Sequence, residues 1–147
     1  MLRFAIPAAA SLCLLWPTRD AHDAAQPSQQ PSSLIEHDSS VARAEAGPHN
    51  GGGATTGYSF FTHAPKLELV FRKRALHRGS AIGYHRQDED EIYYVVSGRG
   101  ELTLNGTKSI VGPGTAILTR TGSSHGLRQI GAADLVIIIS YQQPAAR

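Results

Sequence analysis

An all-β domain, a small sandwich or barrel, is predicted for residues 58–143 on three observations. The region is a succession of short apolar runs of strand length. Glycine or another turn former punctuates those runs at close intervals. No helical periodicity of useful length interrupts them.

The runs follow one another as Leu67–Leu76, Ser80–Gln87, Glu91–Ser97, Gly100–Leu104, Lys108–Val111, Thr115–Arg120, Gly126–Ile130 and Leu135–Tyr141. Between two of them stands Asn105-Gly106, a pair suited to the positive φ angles of a type I′ turn, so its flanking strands are expected to pair antiparallel. Gly98 and Gly100 bracket another tight turn, and Gly112-Pro113-Gly114 makes a corner. Order is expected to begin at Tyr58-Ser59-Phe60-Phe61, whose aromatics can pack against the barrel or a second subunit. Residues 144–147 are a C-terminal tail.

The N-terminal third reads differently. Arg3 precedes an apolar run from Phe4 to Trp16 with the dimensions of a signal-peptide core, too short for a bilayer span of about 20 residues. Residues 1–25 are therefore expected to be a signal peptide cut near Ala24 or Ala25, and the protein secreted or periplasmic. A start codon placed too early would instead leave a cytoplasmic protein. Cys13 lacks the small residue that a lipoprotein site needs before it, so no stable membrane anchor is expected. Residues 26–57, rich in Gln, Pro, Ser, Ala and Gly, are expected to be a disordered linker, with His37 and His49 too isolated in it to be ligands.

At 147 residues and 41% hydrophobic content the chain has room for one core. Its 14 basic and 12 acidic side chains leave a net charge of +2. The one basic cluster, Arg72-Lys73-Arg74, alternates faces along a strand and is expected to be solvated, which argues against a nucleic-acid partner. With the leader removed no cysteine remains, so any metal must be held by nitrogen and oxygen.

The chemistry-bearing residues fall into two spaced groups. Gly79, His85, Gln87, Glu91 and Gly98 form Gly-x5-His-x-Gln-x3-Glu-x6-Gly; Gly114, Arg120, Gly122, His125 and Gln129 form Gly-x5-Arg-x-Gly-x2-His-x3-Gln. On a strand, His85 and Gln87 point to one face. Glu91 opens the next run after the turn Asp88-Glu89-Asp90, and His125 arrives from a separate strand after Gly122-Ser123-Ser124.

These two motifs resemble those of the cupin superfamily, Gly-x5-His-x-His-x3-4-Glu-x6-Gly and Gly-x5-Pro-x-Gly-x2-His-x3-Asn, over roughly residues 57 to 143. The short segment Arg99 to Pro113 between them is similar to that of small single-domain bacterial cupins. The resemblance implies a double-stranded β-helix, the jelly-roll barrel, with one divalent metal held by His85, Gln87, Glu91 and His125. Two imidazoles and a carboxylate suit Fe, Mn or Zn. Three positions depart from the pattern: Gln87 stands for a ligand His, Arg120 for Pro and Gln129 for Asn.

Tyr93 shares the inward face of Glu91 and can offer a hydroxyl to substrate or simply pack the core. Arg120 can bind a carboxylate or phosphate or point outward. Gln129 can line the cavity or replace the Asn's structural hydrogen bonds. Ser123 and Ser124 shape the turn, His77 is expected at the surface, and no residue is assigned as catalytic acid, base or nucleophile. The implied activity is that of a metal-dependent enzyme on a small polar molecule, of oxygenase, isomerase or decarboxylase type. The alternative is a module that binds a small ligand or sugar without turnover. A homodimer is expected, because Phe60, Phe61, Leu67, Leu69 and Phe71 exceed what so small a barrel buries.

Overall fold

The computed structural model describes residues 33–143. The expected signal peptide, the start of the linker and the C-terminal tail lie outside them. A single turn of helix, α1 (Asp38–Val41), is followed by ten strands: β1 (Ala42–Ala46), β2 (Ala54–Phe60), β3 (Leu69–Leu76), β4 (Ala81–Arg86), β5 (Glu91–Ser97), β6 (Arg99–Leu104), β7 (Thr107–Val111), β8 (Ala116–Thr119), β9 (Ser124–Ile130) and β10 (Leu135–Gln142). They form a six-stranded sheet in the order β1-β2-β3-β10-β5-β8 and a four-stranded sheet in the order β4-β9-β6-β7. Every pairing is antiparallel.

Alternation decides which side chains meet between the sheets. Along β10, Leu135, Ile137 and Ile139 are buried while the residues between them are only partly so, and along β5 Glu91, Tyr93 and Val95 point inward. All of these but Glu91 join Leu76, Ile82, Leu102, Val111, Ile117 and Leu127 in one core. Leu127 is 1% exposed, so its truncation to Ala would cost roughly 2–5 kcal/mol. The β6–β7 hairpin turns as the sequence requires, with Asn105 at φ 47° and Gly106 at φ 82°, the signs of a type I′ turn.

The disordered linker expected over 26–57 does not hold for its described part. Ala42–Ala46 pairs in register with Ala54–Tyr58, and β2 continues the sheet onto β3. The cause is a partner rather than an apolar pattern. Arg74, expected to be solvated, is buried in the sandwich, and its guanidinium lies 2.7 Å from Glu45 of β1 and 2.7 Å from the hydroxyl of Thr55 of β2. A buried guanidinium needs such partners, and the N-terminal hairpin supplies them.

The loop between β1 and β2 covers an edge. β4 is one of the two outermost strands of the smaller sheet, and its pairing with β9 slips between Ile82 and His85. At that irregularity the Gly83 N–H donates to the Pro48 carbonyl at 2.9 Å, and the Ala81 N–H donates to Gly52 at 3.1 Å. Two edge donors of β4 are thus spent on the loop. Only glycine allows the approach: a Cβ at position 83 would stand 1.9 Å from the His49 carbonyl oxygen.

Candidate metal centre

Register brings the first two residues together. His85 of β4 and His125 of β9 are cross-strand partners, and their rings meet edge to face with centroids 4.8 Å apart. Gln87 follows immediately after β4 and is fixed by its backbone, donating to Ser123 and accepting from Gly122, each at 2.8 Å. Glu91 opens β5 on the inward face, with Tyr93 two residues behind it. His125 Nε2 lies 3.2 Å from a Glu91 carboxylate oxygen, 3.2 Å from Gln87 Nε2 and 3.4 Å from the Tyr93 hydroxyl. The Gln87 amide also donates to Glu91.

Each imidazole has its other nitrogen engaged. His125 Nδ1 is 2.7 Å from the Thr119 hydroxyl, and His85 Nδ1 is 2.8 Å from the Gly83 carbonyl. This is how second partners orient a metal-binding histidine, leaving Nε2 as the available donor. The donor chemistry of His85, His125 and Glu91 therefore fits a divalent ion of the Fe, Mn or Zn kind. Among the described residues no three His, Cys, Asp or Glu side chains stand in a ready-made metal arrangement. Gln87 turns its amide nitrogen, not its oxygen, toward the group.

The cluster lines a cavity of about 180 Å³. Its lining includes His85, Gln87, Glu91 and Tyr93 together with His49, Arg72 and Arg74, and Ile82 and Ile139 supply apolar surface. His125 sits behind, fully enclosed. Burial raises the Tyr93 phenol well above its ordinary pKa, and the Glu91 charge beside it adds to the rise, so it stays protonated at neutral pH.

Two expected substrate-binding residues stand elsewhere. Arg120 follows the inward Thr119, so alternation sends it outward, where its exposed Nε lies 3.1 Å from Asp90. Asp90 also accepts from the Thr121 N–H at 2.8 Å; that bond foremost holds its carboxyl below the usual range, against the opposing cost of desolvation, with the Thr121 hydroxyl and then Arg120 adding to the lowering. Gln129 points inward beyond Leu127 but clasps loops. Its carbonyl accepts from Gly79 at 2.8 Å, and its amide donates to Gly131 and Ala133 at 3.1 and 2.7 Å. It holds these loops together and is absent from the cavity lining.

Sequence reasoning set His49 aside as too isolated in the linker, yet its ring lies on that of His85 with centroids 3.4 Å apart and planes within 6°. It also passed over Thr119 and the inward turn of Arg72 and Arg74. The signal for His49 was the glycine-rich setting, Gly47 and Gly51-Gly52-Gly53, which lets a loop pack closely on a strand.

Two antiparallel sheets with a His-Gln-Glu-His cluster between strands β4, β5 and β9 define the class as a small β-sandwich protein. Residues 74–141 match the family described as Cupin domain. The chain is 34% identical over 67 residues to an oxalate-binding protein of Thermotoga maritima, a match spanning 45% of this chain and 55% of that protein. The fold is similar to that of a predicted oxalate decarboxylase of Thermotoga maritima, with a TM-score of 0.69 at 24% identity, over 75% of this chain and 99% of that one. It is also similar to the polyketide cyclase RemF of Streptomyces resistomycificus, with a TM-score of 0.63 at 20% identity, over 76% and 80%.

Proposed function

We propose that this cupin holds one divalent metal ion, of the Fe, Mn or Zn kind, at His85, Glu91 and His125 and uses it to act on a small polar acid. The observation that carries the reading is the convergence of β4, β5 and β9 on one buried donor group beside a small cavity walled by two arginines. When bound, the ion supplies a Lewis acid for an oxygen of the substrate.

The chain's own residues do the rest. Arg72, whose Nε–H is buried without a partner, is placed to receive a carboxylate. Tyr93, kept protonated, donates a hydrogen bond from the same lining. Ile82 and Ile139 restrict water. Among the reaction types expected of the family, decarboxylation or oxygenation of a small carboxylic acid suits this lining better than isomerisation of a bulky sugar in so small a space. The second reading is capture without turnover, favoured by the Thermotoga relative described as oxalate-binding.

Titrating metal-loaded protein with oxalate and related small acids, while following heat, oxygen uptake and carbon dioxide release, separates the two. Binding with turnover supports the enzyme, and binding without turnover supports capture. Metal-loaded protein that ignores every small acid would defeat the carboxylate assignment. Export is proposed on residues 1–25 alone, and N-terminal sequencing of the chain recovered outside the cytoplasm tests it.

A further inference from the structure

We propose that His49 is a fourth donor of the metal site, supplying from the β1–β2 loop the imidazole that Gln87 does not. The inference rests on the metal reading above. It starts from a deficit: Gln87 gives its amide nitrogen to Glu91, so this strand position contributes neither an imidazole nor, as it lies, an oxygen. The same cavity nonetheless holds a third imidazole, His49, in face-to-face contact with His85.

The placement of His49 is built rather than incidental. Its loop is closed by Gly47 N–H to Gly53 and Gly51 N–H to Pro48, each at 3.0 Å, and fastened to β4 through Pro48 and Gly52. Gly51 is as tightly seated as Gly83, since a Cβ there would lie 2.0 Å from the Ala81 carbonyl oxygen. His49 and Asn50 both take positive φ, 52° and 58°, a conformation that non-glycine residues adopt at a cost and that clusters where function requires it. The result is a residue that stays partly open to solvent while lining the cavity.

Stacked rings cannot both aim a lone pair at one ion. Ligation therefore requires His49 to turn about its side-chain torsions and open the stack, while the fastened backbone keeps it within reach. An exposed side chain makes such a turn readily.

The test uses cobalt(II) as probe on the full chain, reading affinity by competition and coordination by the visible absorption bands. His49→Ala is expected to weaken cobalt binding by at least about tenfold and to alter the bands. Adding Gln87→His to His49→Ala is expected to restore affinity, because the imidazole returns from the strand. Thermal melts of the metal-free variants check that the fold is kept, and His49→Gln, which retains bulk and polarity, guards against a loop effect. Wild-type affinity and spectrum in both His49 variants would overturn the proposal while leaving the metal site standing. No cobalt binding by the wild type would overturn both.

Discussion

The hydroxyl of Thr119 lies 2.7 Å from Nδ1 of His125, and the two side chains are 1% and 0% exposed. A buried pair of this kind has no water to fall back on. It fixes which nitrogen of His125 faces Glu91, and it comes from β8, a strand that contributes none of the metal donors. Thr119→Val keeps the volume and removes the partner. It is expected to lower stability by about 1–3 kcal/mol, the cost of an unsatisfied buried polar group, and to weaken metal binding roughly 10- to 100-fold. Denaturation and metal titration check both. Unchanged metal affinity with lowered stability would mean that Thr119 supports the fold and not the site.

Tyr93 gives a pH signature. Burial first, and then Glu91, raise its pKa above the ordinary value, so the folded chain keeps a proton that the unfolded chain releases. That contribution to stability is complete below about pH 10, the unfolded value, and is lost as pH rises beyond it. Stability curves of wild type and Tyr93→Phe are expected to run parallel below that pH, and the wild-type curve to fall relative to that of Tyr93→Phe above it. Parallel curves throughout the alkaline range would contradict the assignment.

Much of this was legible beforehand because alternation is a strong signal. The expected runs from Leu67 to Tyr141 return as β3 to β10 with ends shifted by a few residues, and His85 and His125 do meet across strands. β1 was not legible. Ala42–Ala46 carries only alanines, an arginine and a glutamate, and it is a strand because β2 pairs with it and Arg74 needs Glu45. His49 was hidden for a related reason, since its role depends on a loop seated against β4 that no local pattern records. Arg120 and Gln129 were found by motif position, which specifies the place in the chain but not the direction of the side chain.

The outer face of the larger sheet predicts self-association. Ile92 pairs with Leu118 and Tyr94 with Ile138 across neighbouring strands; Ile92, Tyr94 and Leu118 are about half exposed, and Phe71, Leu69 and Leu67 extend the surface. An apolar face of this extent on a small domain marks a contact surface, and a second copy is proposed to cover it. Light scattering at high micromolar concentration is expected to give twice the mass of one chain, falling to the single mass in Tyr94→Lys. A monomeric wild type would remove the dimer.

The central claim is that His85, Glu91 and His125 hold a metal. Its most direct measurement is the stoichiometry and affinity of Mn(II), Fe(II) and Zn(II) for wild type, His125→Ala and Gln87→His, determined on protein purified without chelator or affinity-tag metal. The account predicts one ion per wild-type chain, none retained by His125→Ala, and tighter binding by Gln87→His, where an imidazole replaces an amide whose nitrogen now faces Glu91. Equal affinity across all three proteins, or no stoichiometric ion in the wild type, would contradict it.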